Sequence, residues 1–268
     1  PNPDILCNQE IKFNVLLDYA LEQNADYLAT GHYAQIKNFR GQPALASACD
    51  QNKDQTYFLC RLPQKALKHI QFPIGGLQKS DVRSIASKIP LNNATKKDST
   101  GICFIGERKF SEFISEYLLD RPGDIVNEQQ QILGQHRGLF YYTIGQRKGL
   151  SIGGQKNCAE QPWFVLKKDI KKNTVMVGQG EKHPLLYRKI LTAKDIHWLI
   201  DPKPVANTLQ VHARIRHRQS LQEAKVEIKE DHMIVEFTNA QRAITPGQSI
   251  ALYIENICIA SAIIEESS

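Results

Sequence analysis

Several patterns are missing from this sequence, and each absence excludes something. None of its 268 residues belongs to an apolar run of roughly eighteen, the length a membrane-spanning helix needs, so no helical membrane span is expected. No basic segment followed by an apolar stretch opens the chain, which argues against secretion. None of the six cysteines forms a Cys-x-x-Cys pair and no His/Cys spacing matches a zinc module, so no metal site is expected. Without a leader, the even cysteine count is not read as disulfides, and a reducing compartment, the cytoplasm, is expected instead. Methionine is scarce: Met176 and Met233 are the two, and the chain opens on Pro1 inside a motif. It therefore reads as a piece lacking its natural N-terminus. Acidic residues are missing between Glu128 and Glu160, while Arg137, Arg147, Lys148 and Lys156 all fall there. A window that long without a carboxylate favours an anion-binding face over an ordinary solvated loop.

What is present divides into three stretches, taken as residues 1–119, 120–180 and 181–268. The formal charge of +6 and a pI near 8.9 suit a polyanionic partner. The first stretch mixes helical and short strand patterns. Residues Gln9 to Glu22 place Ile11, Val15, Leu16 and Tyr19 on one helical face, which predicts that this face is buried. Tyr27 to Thr30 predicts a short strand ending at Gly31-His32-Tyr33, a position where open α/β sheets bind ligands. Ser80 is expected to cap a helix running through Lys88, and a further helix is expected from Glu107 to Leu118. The second stretch reads as short strands and glycine turns, including Gly145-Gln146-Arg147-Lys148-Gly149-Leu150. The third reads as all-β, with strands at Thr208–His217, Glu223–Lys229, Met233–Phe237, Ser249–Ile254 and Ile257–Ile264 forming a small barrel or sandwich. In its first strand Leu209, Val211, Ala213 and Ile215 alternate with His212, Arg214, Arg216 and Arg218, predicting one apolar face and one cationic stripe for a phosphate backbone.

Two cysteines sit in dense local motifs. Cys7 lies in Pro1-Asn2-Pro3-Asp4-Ile5-Leu6-Cys7-Asn8, three positions after a carboxylate. Cys103 lies in Asp98-Ser99-Thr100-Gly101-Ile102-Cys103-Phe104-Ile105-Gly106-Glu107-Arg108, with Lys96, Lys97 and Arg108 nearby. Only a thiolate is nucleophilic, so cations and turn backbone around a cysteine point to reactivity. Each has a plainer alternative. Cys103 would also suit a small buried position between Ile102 and Phe104, and Asp4 after Pro3 would suit a turn that caps a helix. Cys49, Cys60, Cys158 and Cys258 read as structural or surface thiols.

These two motifs, with Ala29-Thr30-Gly31-His32-Tyr33-Ala34, Asn52-Lys53-Asp54-Gln55, Gly145–Leu150 and Thr245–Ser249, resemble the bacterial-type tRNA-specific 2-thiouridylase (MnmA) family across essentially the whole chain. The resemblance implies an α/β plus β fold: the latter part of a Rossmann-like ATP-pyrophosphatase domain, a small central β-rich domain and a C-terminal small β-barrel. It implies a sulfurtransferase that replaces O2 of a tRNA wobble uridine with sulfur, using ATP with Mg2+. By the same resemblance Cys103 is the persulfide carrier, Cys7 its partner nucleophile in a transient Cys7–Cys103 disulfide, and Asp4 the general acid/base. Gly31 is implied to contact ATP, and Asn2, Pro3, Asp4, His32, Lys53, Asp54, Gln55, Arg216, His217 and Gln248 to contact tRNA. A protein that relays sulfur is the other implied partner. The family's Ser-Gly-Gly-x-Asp-Ser nucleotide loop is absent, so the chain by itself is expected not to thiolate tRNA.

Two other readings compete. A non-catalytic RNA-binding protein would explain the basic stretches but not the two cysteine motifs. A cysteine hydrolase pairing Cys103 with His32 lacks an oxyanion signature.

Overall fold

The computed structural model describes residues 2–89, 91, 93–95, 113, 115–153, 161–200 and 207–268. Cys103 lies outside the described residues, as do residues 107–112 and 114 of the helix expected at Glu107–Leu118, and Cys158.

The chain opens with a continuous helical run: α1 (Pro3–Leu6), a π-helical segment over Cys7–Val15, and α2 (Leu16–Glu22). Asn2 starts it, its Oδ1 accepting from the amides of Asp4 at 3.0 Å and Ile5 at 3.3 Å. Pro3 occupies the first helical position, where its missing N–H costs nothing, and Asp4 places negative charge in the first turn. Capping falls to Asn2 rather than Asp4. The buried side chains are Ile5, Cys7, Asn8, Phe13 and Leu17. The predicted apolar face is instead exposed, Val15 to 66 % and Ile11, Leu16 and Tyr19 substantially. The reason is geometric: π winding bonds i to i+5, and Phe13 sits off the helix at φ −107°, ψ 20°, so a 3.6-residue period assigns the wrong face.

Two short strands, β1 (Leu28–Ala29) and β4 (Ile70–Gln71), pair in parallel, and Thr30 N–H extends the ladder to the Gln71 carbonyl. Between them come a hairpin, β2 (Ala34–Phe39) with β3 (Gln42–Ser47), and α3 (Thr56–Leu59). Gly75 packs where an added Cβ would lie 1.5 Å from the Ala34 carbonyl oxygen, so only glycine fits there. α4 (Lys79–Lys88) begins at Gln78, and Ser80 lies inside it. Its first amide, on Lys79, is satisfied by the Asp50 carboxylate at 3.0 Å, a tertiary cap that local pattern does not display.

A second, antiparallel-rich sheet has the order β6-β5-β8-β7, from β5 (Gly123–Val126), β6 (Ile132–His136), β7 (Trp163–Asp169) and β8 (Thr174–Gln179). Its core holds Ile125, Tyr142, Leu150, Val165, Val175 and Val177.

The C-terminal third closes a six-stranded barrel from β9 (Tyr187–Trp198), β10 (Thr208–Arg214), β11 (Gln222–Ile228), β12 (His232–Arg242), β13 (Ser249–Ile254) and β14 (Ile257–Ser267), with β13 also pairing β14. Met233, Val235 and Phe237 alternate inward and face Ala224 and Val226 across the ladder. β9 is the strand that alternation does not reveal: Asp195 bends it at φ +54°, which breaks the two-residue period. β13 and β14 bury consecutive residues because their outer face is covered too. Ala251, Tyr253 and Cys258 pack with Leu45, Tyr57 and Leu59 of the N-terminal part. The β2–β3 hairpin joins the same sheet, with Ala46 opposite Ile257.

By internal contacts the chain forms two compact units, Pro1–Glu107 with Leu191–Asn239 and Pro246–Glu266, and Arg108–Ile190 with Ala240–Thr245 and Ser267–Ser268.

Candidate active site

The first unit gathers most of the residues singled out above. Cys7 carries a buried thiol, 8 % exposed, one turn inside the helix that Asn2 caps. Beside it Asn8, 2 % exposed, donates from Nδ2 to the Phe58 carbonyl at 3.0 Å, while its Oδ1 has no hydrogen-bond partner among the described residues. Phe13, across the kink, packs its ring 5.7 Å from His32 and 6.0 Å from Phe72. His32 thus lies under an aromatic layer supplied by the Cys7 helix.

His32 is held by Thr30, whose Oγ1 is 2.8 Å from Nδ1. Burial depresses its pKa to about 4; the Lys12 charge adds to the shift and the Asp4 carboxylate opposes it. The imidazole is therefore neutral at pH 7, and Asp4 and Lys12 both lie within its electrostatic reach. Asp4 also acts on His217, where burial first and then Arg218 and Arg214 lower the pKa, opposed by Asp54 and Asp4. Asp4 accordingly influences both histidines.

An acid dependence follows with a definite sign. The unfolded His32 titrates at 6.5 and the folded one near 4, so the unfolded chain binds more protons between those values. The stability this neutral imidazole contributes is complete above pH 6.5 and lost as pH falls through 4. Urea titrations should show His32 costing about 2 kcal/mol between pH 7.5 and pH 5, with a correspondingly flatter profile in His32→Gln. Parallel profiles for the two proteins would contradict the buried neutral state.

Two further segments complete the site. Gln55 clasps Tyr33 in both directions, its Oε1 accepting from Tyr33 N–H at 2.9 Å and its own N–H donating to the Tyr33 carbonyl at 2.8 Å. Phe58, on α3, stacks on His217 with centroids 4.4 Å apart and planes tilted by 35°. The helix head and the end of β10 are thereby linked through α3. Tyr57 reinforces the link by donating to the carbonyls of Ile215 and Ser249 at 3.2 and 3.0 Å.

Not every expected residue is presented as the alternation implied. β10 ends at Arg214, and Ala213, Arg214 and Ile215 are all buried, so the cationic stripe is not one outer face. Arg214 is drawn inward by Asp54, whose carboxylate meets it at 2.6 Å. Asp54 is buried with it, so its carboxylate offers no surface to a partner. Arg216 and His217 are half-buried just beyond the strand, and Arg218 is exposed at φ +65°. Lys53 is half-buried in the loop before α3, and Gln248 is half-buried at the start of β13, next to Ser249. Gly31 is exposed, and a Cβ built on it would meet nothing within 4 Å, so protein packing does not require glycine there. Open backbone beyond the C-terminal end of a parallel strand suits a nucleotide. In the other unit, Arg147 and Lys148 are exposed on a loop built by Gln146, whereas Arg137 pairs with Asp120 at 2.9 Å.

The remaining described cysteines divide cleanly. Burial pushes the Cys60 thiol up to about 12 and raises Cys258 as well, which keeps both protonated and unreactive, whereas Cys49 is exposed. Phe13, Asn8 and Phe58 were not assigned roles from sequence, and Arg214, expected in the phosphate-facing stripe, pairs inward with Asp54 instead. Asn8 adjoins a motif cysteine, which was a usable signal; the aromatic residues carried none.

Three family models match in order: a tRNA methyl transferase HUP domain over residues 1–107, a tRNA methyl transferase PRC-barrel domain over 111–179, and an aminomethyltransferase beta-barrel domain over 188–264. The tRNA-specific 2-thiouridylase MnmA of Methylococcus capsulatus is 48 % identical over 267 residues, 99 % of this chain and 72 % of that protein. This chain belongs to the MnmA family. The Coxiella burnetii enzyme of the same name is 50 % identical over 265 residues, covering 98 % of this chain and 73 % of its own length, and that of Pseudomonas putida is 47 % identical over 99 % and 71 %. The HUP, central and barrel parts of the MnmA architecture thus match this fold in chain order, the last as the closed six-stranded barrel. No helix among the described residues is long and apolar enough to cross a membrane.

Proposed function

We propose that this protein forms 2-thiouridine at the wobble position of tRNA, with Cys7 as the attacking thiol of the site. The observation that carries this reading is that Cys7 and Asp4 share one helix head, with a neutral His32 within the electrostatic reach of Asp4, in a chain of this family. The wobble base must leave its stack to be reached. Asn2, Pro3 and Asp4 at the helix start would meet it, with Asp4 moving a proton, while His32, Lys53, Gln55, Arg216, His217 and Gln248 receive the surrounding tRNA. His32, kept neutral, would donate one fixed hydrogen bond without adding charge.

Gly31 is the described residue that would lie against ATP, whose adenylyl group makes the uridine O2 a leaving group. Cys103 would carry sulfur as a persulfide delivered by a relay protein. Its terminal sulfur bonds to C2 as the adenylated oxygen departs. The Cys7 thiolate then attacks Sγ of Cys103, breaking the S–S bond; the freed sulfur remains on the base, and a Cys7–Cys103 disulfide forms. A cellular dithiol reduces that disulfide to reset the pair. The step needs the two Cα atoms about 4.4–6.8 Å apart. Such chemistry belongs in a reducing compartment, the cytoplasm.

The deciding experiment is mass spectrometry of wobble nucleosides from cells lacking the protein. The 2-thiouridine derivatives should disappear and unmodified uridine accumulate; an unchanged nucleoside profile would refute the reading.

A further inference from the structure

Asp54 and Arg214 form the most deeply buried ion pair among the described residues, with side chains 0 % and 4 % exposed. Removing two charges from water costs several kcal/mol each, and well-packed apolar residues often replace such pairs with no loss of stability. Fold stability alone therefore does not account for this pair. Its surroundings do. Asp54 accepts from Ala48 N–H at 3.1 Å, from Thr56 N–H at 3.3 Å and from Thr56 Oγ1, closing the 48–56 loop on one carboxylate. The counter-charge comes from the last residue of β10 in the barrel. Arg214 also lies 5.7 Å over the Tyr253 ring, whose hydroxyl is 3.0 Å from Thr56 Oγ1. Next to Asp54, Gln55 grips Tyr33 through two hydrogen bonds, and Tyr33 follows His32.

We infer that Arg214 and Asp54 are a positioning pair: a buried charge contact by which the barrel sets the 48–56 loop and, through Gln55 and Tyr33, the His32 turn over the Cys7 helix. Asp54 then acts through its neighbours rather than by touching nucleic acid. Lys53 and Gln55, flanking it, are held in register, as are Arg216 and His217, two and three positions after Arg214. The bearing of the pair on tRNA rests on the function proposed above; its hold on the His32 turn does not.

The test compares the wild-type chain with Asp54→Asn/Arg214→Met, in which both charges go together, and with Arg214→Lys, which keeps the charge. The double variant is chosen because Arg214→Met alone strands a buried carboxylate and tends to unfold. Thermal melting confirms a folded state. In the folded double variant, the Tyr33 and Gln55 amides should exchange about tenfold faster, and an unmodified tRNA transcript with uridine at the wobble position should bind about tenfold more weakly. The His32 titration midpoint should rise toward its ordinary value. Arg214→Lys should recover part of each effect. Wild-type exchange at Tyr33 and Gln55 in the folded double variant overturns the positioning role. Faster exchange with unchanged tRNA affinity overturns its bearing on RNA. A wild-type chain that binds no tRNA refutes the functional reading itself, and the amide exchange still decides for or against the pair.

Discussion

Cys7→Ser is expected to abolish 2-thiouridine formation in cells, by at least about a thousandfold, while leaving the fold and tRNA affinity nearly unchanged. Serine matches the thiol in size, and the cap hydrogen bonds at this position come from backbone: the Cys7 amide donates to the Pro3 and Asp4 carbonyls. Asn2 continues to hold the first turn, so the helix start does not depend on the sulfur. Stability should therefore change by no more than about 1 kcal/mol. The chemistry, by contrast, cannot survive the exchange. A hydroxyl at this site is not deprotonated near neutral pH and cannot form the disulfide that releases sulfur from its carrier. Nucleoside mass spectrometry, with the tRNA dissociation constant measured in parallel, checks both halves. Product at the normal level in Cys7→Ser would remove this thiol from the mechanism.

Phe13→Ala should cost about 3–5 kcal/mol, the range for deleting a fully buried aromatic ring. Phe13 is 1 % exposed and belongs to the core cluster with Ile5, Leu17, Leu45 and Tyr57. Its ring also covers His32 and meets Phe72 edge-on at 78°. Truncation opens a cavity beside a half-buried polar ring, so more water reaches the imidazole. Desolvation is the largest cause of the depressed His32 pKa. The titration midpoint should therefore climb from about 4 toward 6.5, and the acid sensitivity contributed by this group should shrink with it. Denaturant unfolding and imidazole chemical shifts measure the two effects. A stability loss with an unmoved His32 titration would show that the ring packs the core without screening the histidine.

The strands of the barrel were legible because alternation there is local. Ala224 and Val226, and Met233, Val235 and Phe237, face one interior, and their period survives tertiary folding. The short strand before Gly31-His32 was legible as an apolar run closing in a glycine turn, and β1 spans Leu28–Ala29 of it. The apolar helix face was not, because the π-helical segment shifts the phase and turns Ile11 and Val15 outward. Arg214 looked like part of a phosphate-facing cationic stripe because its counter-charge lies 160 positions away in the chain. The cap of α4 was assigned to Ser80 because Asp50, which supplies it, is remote in sequence.

What the chain determined unaided was therefore what short-range pattern carries: the barrel strands β10 to β14, a helix start close to Pro3, the two cysteine motifs and the family they announce. Tertiary structure decided which of those residues meet. It buried Phe13 over His32, drew Asp54 and Arg214 into one ion pair, and stacked Phe58 on His217. Those choices depend on desolvation and on contacts between distant segments, and neither quantity has a value until the chain has closed upon itself.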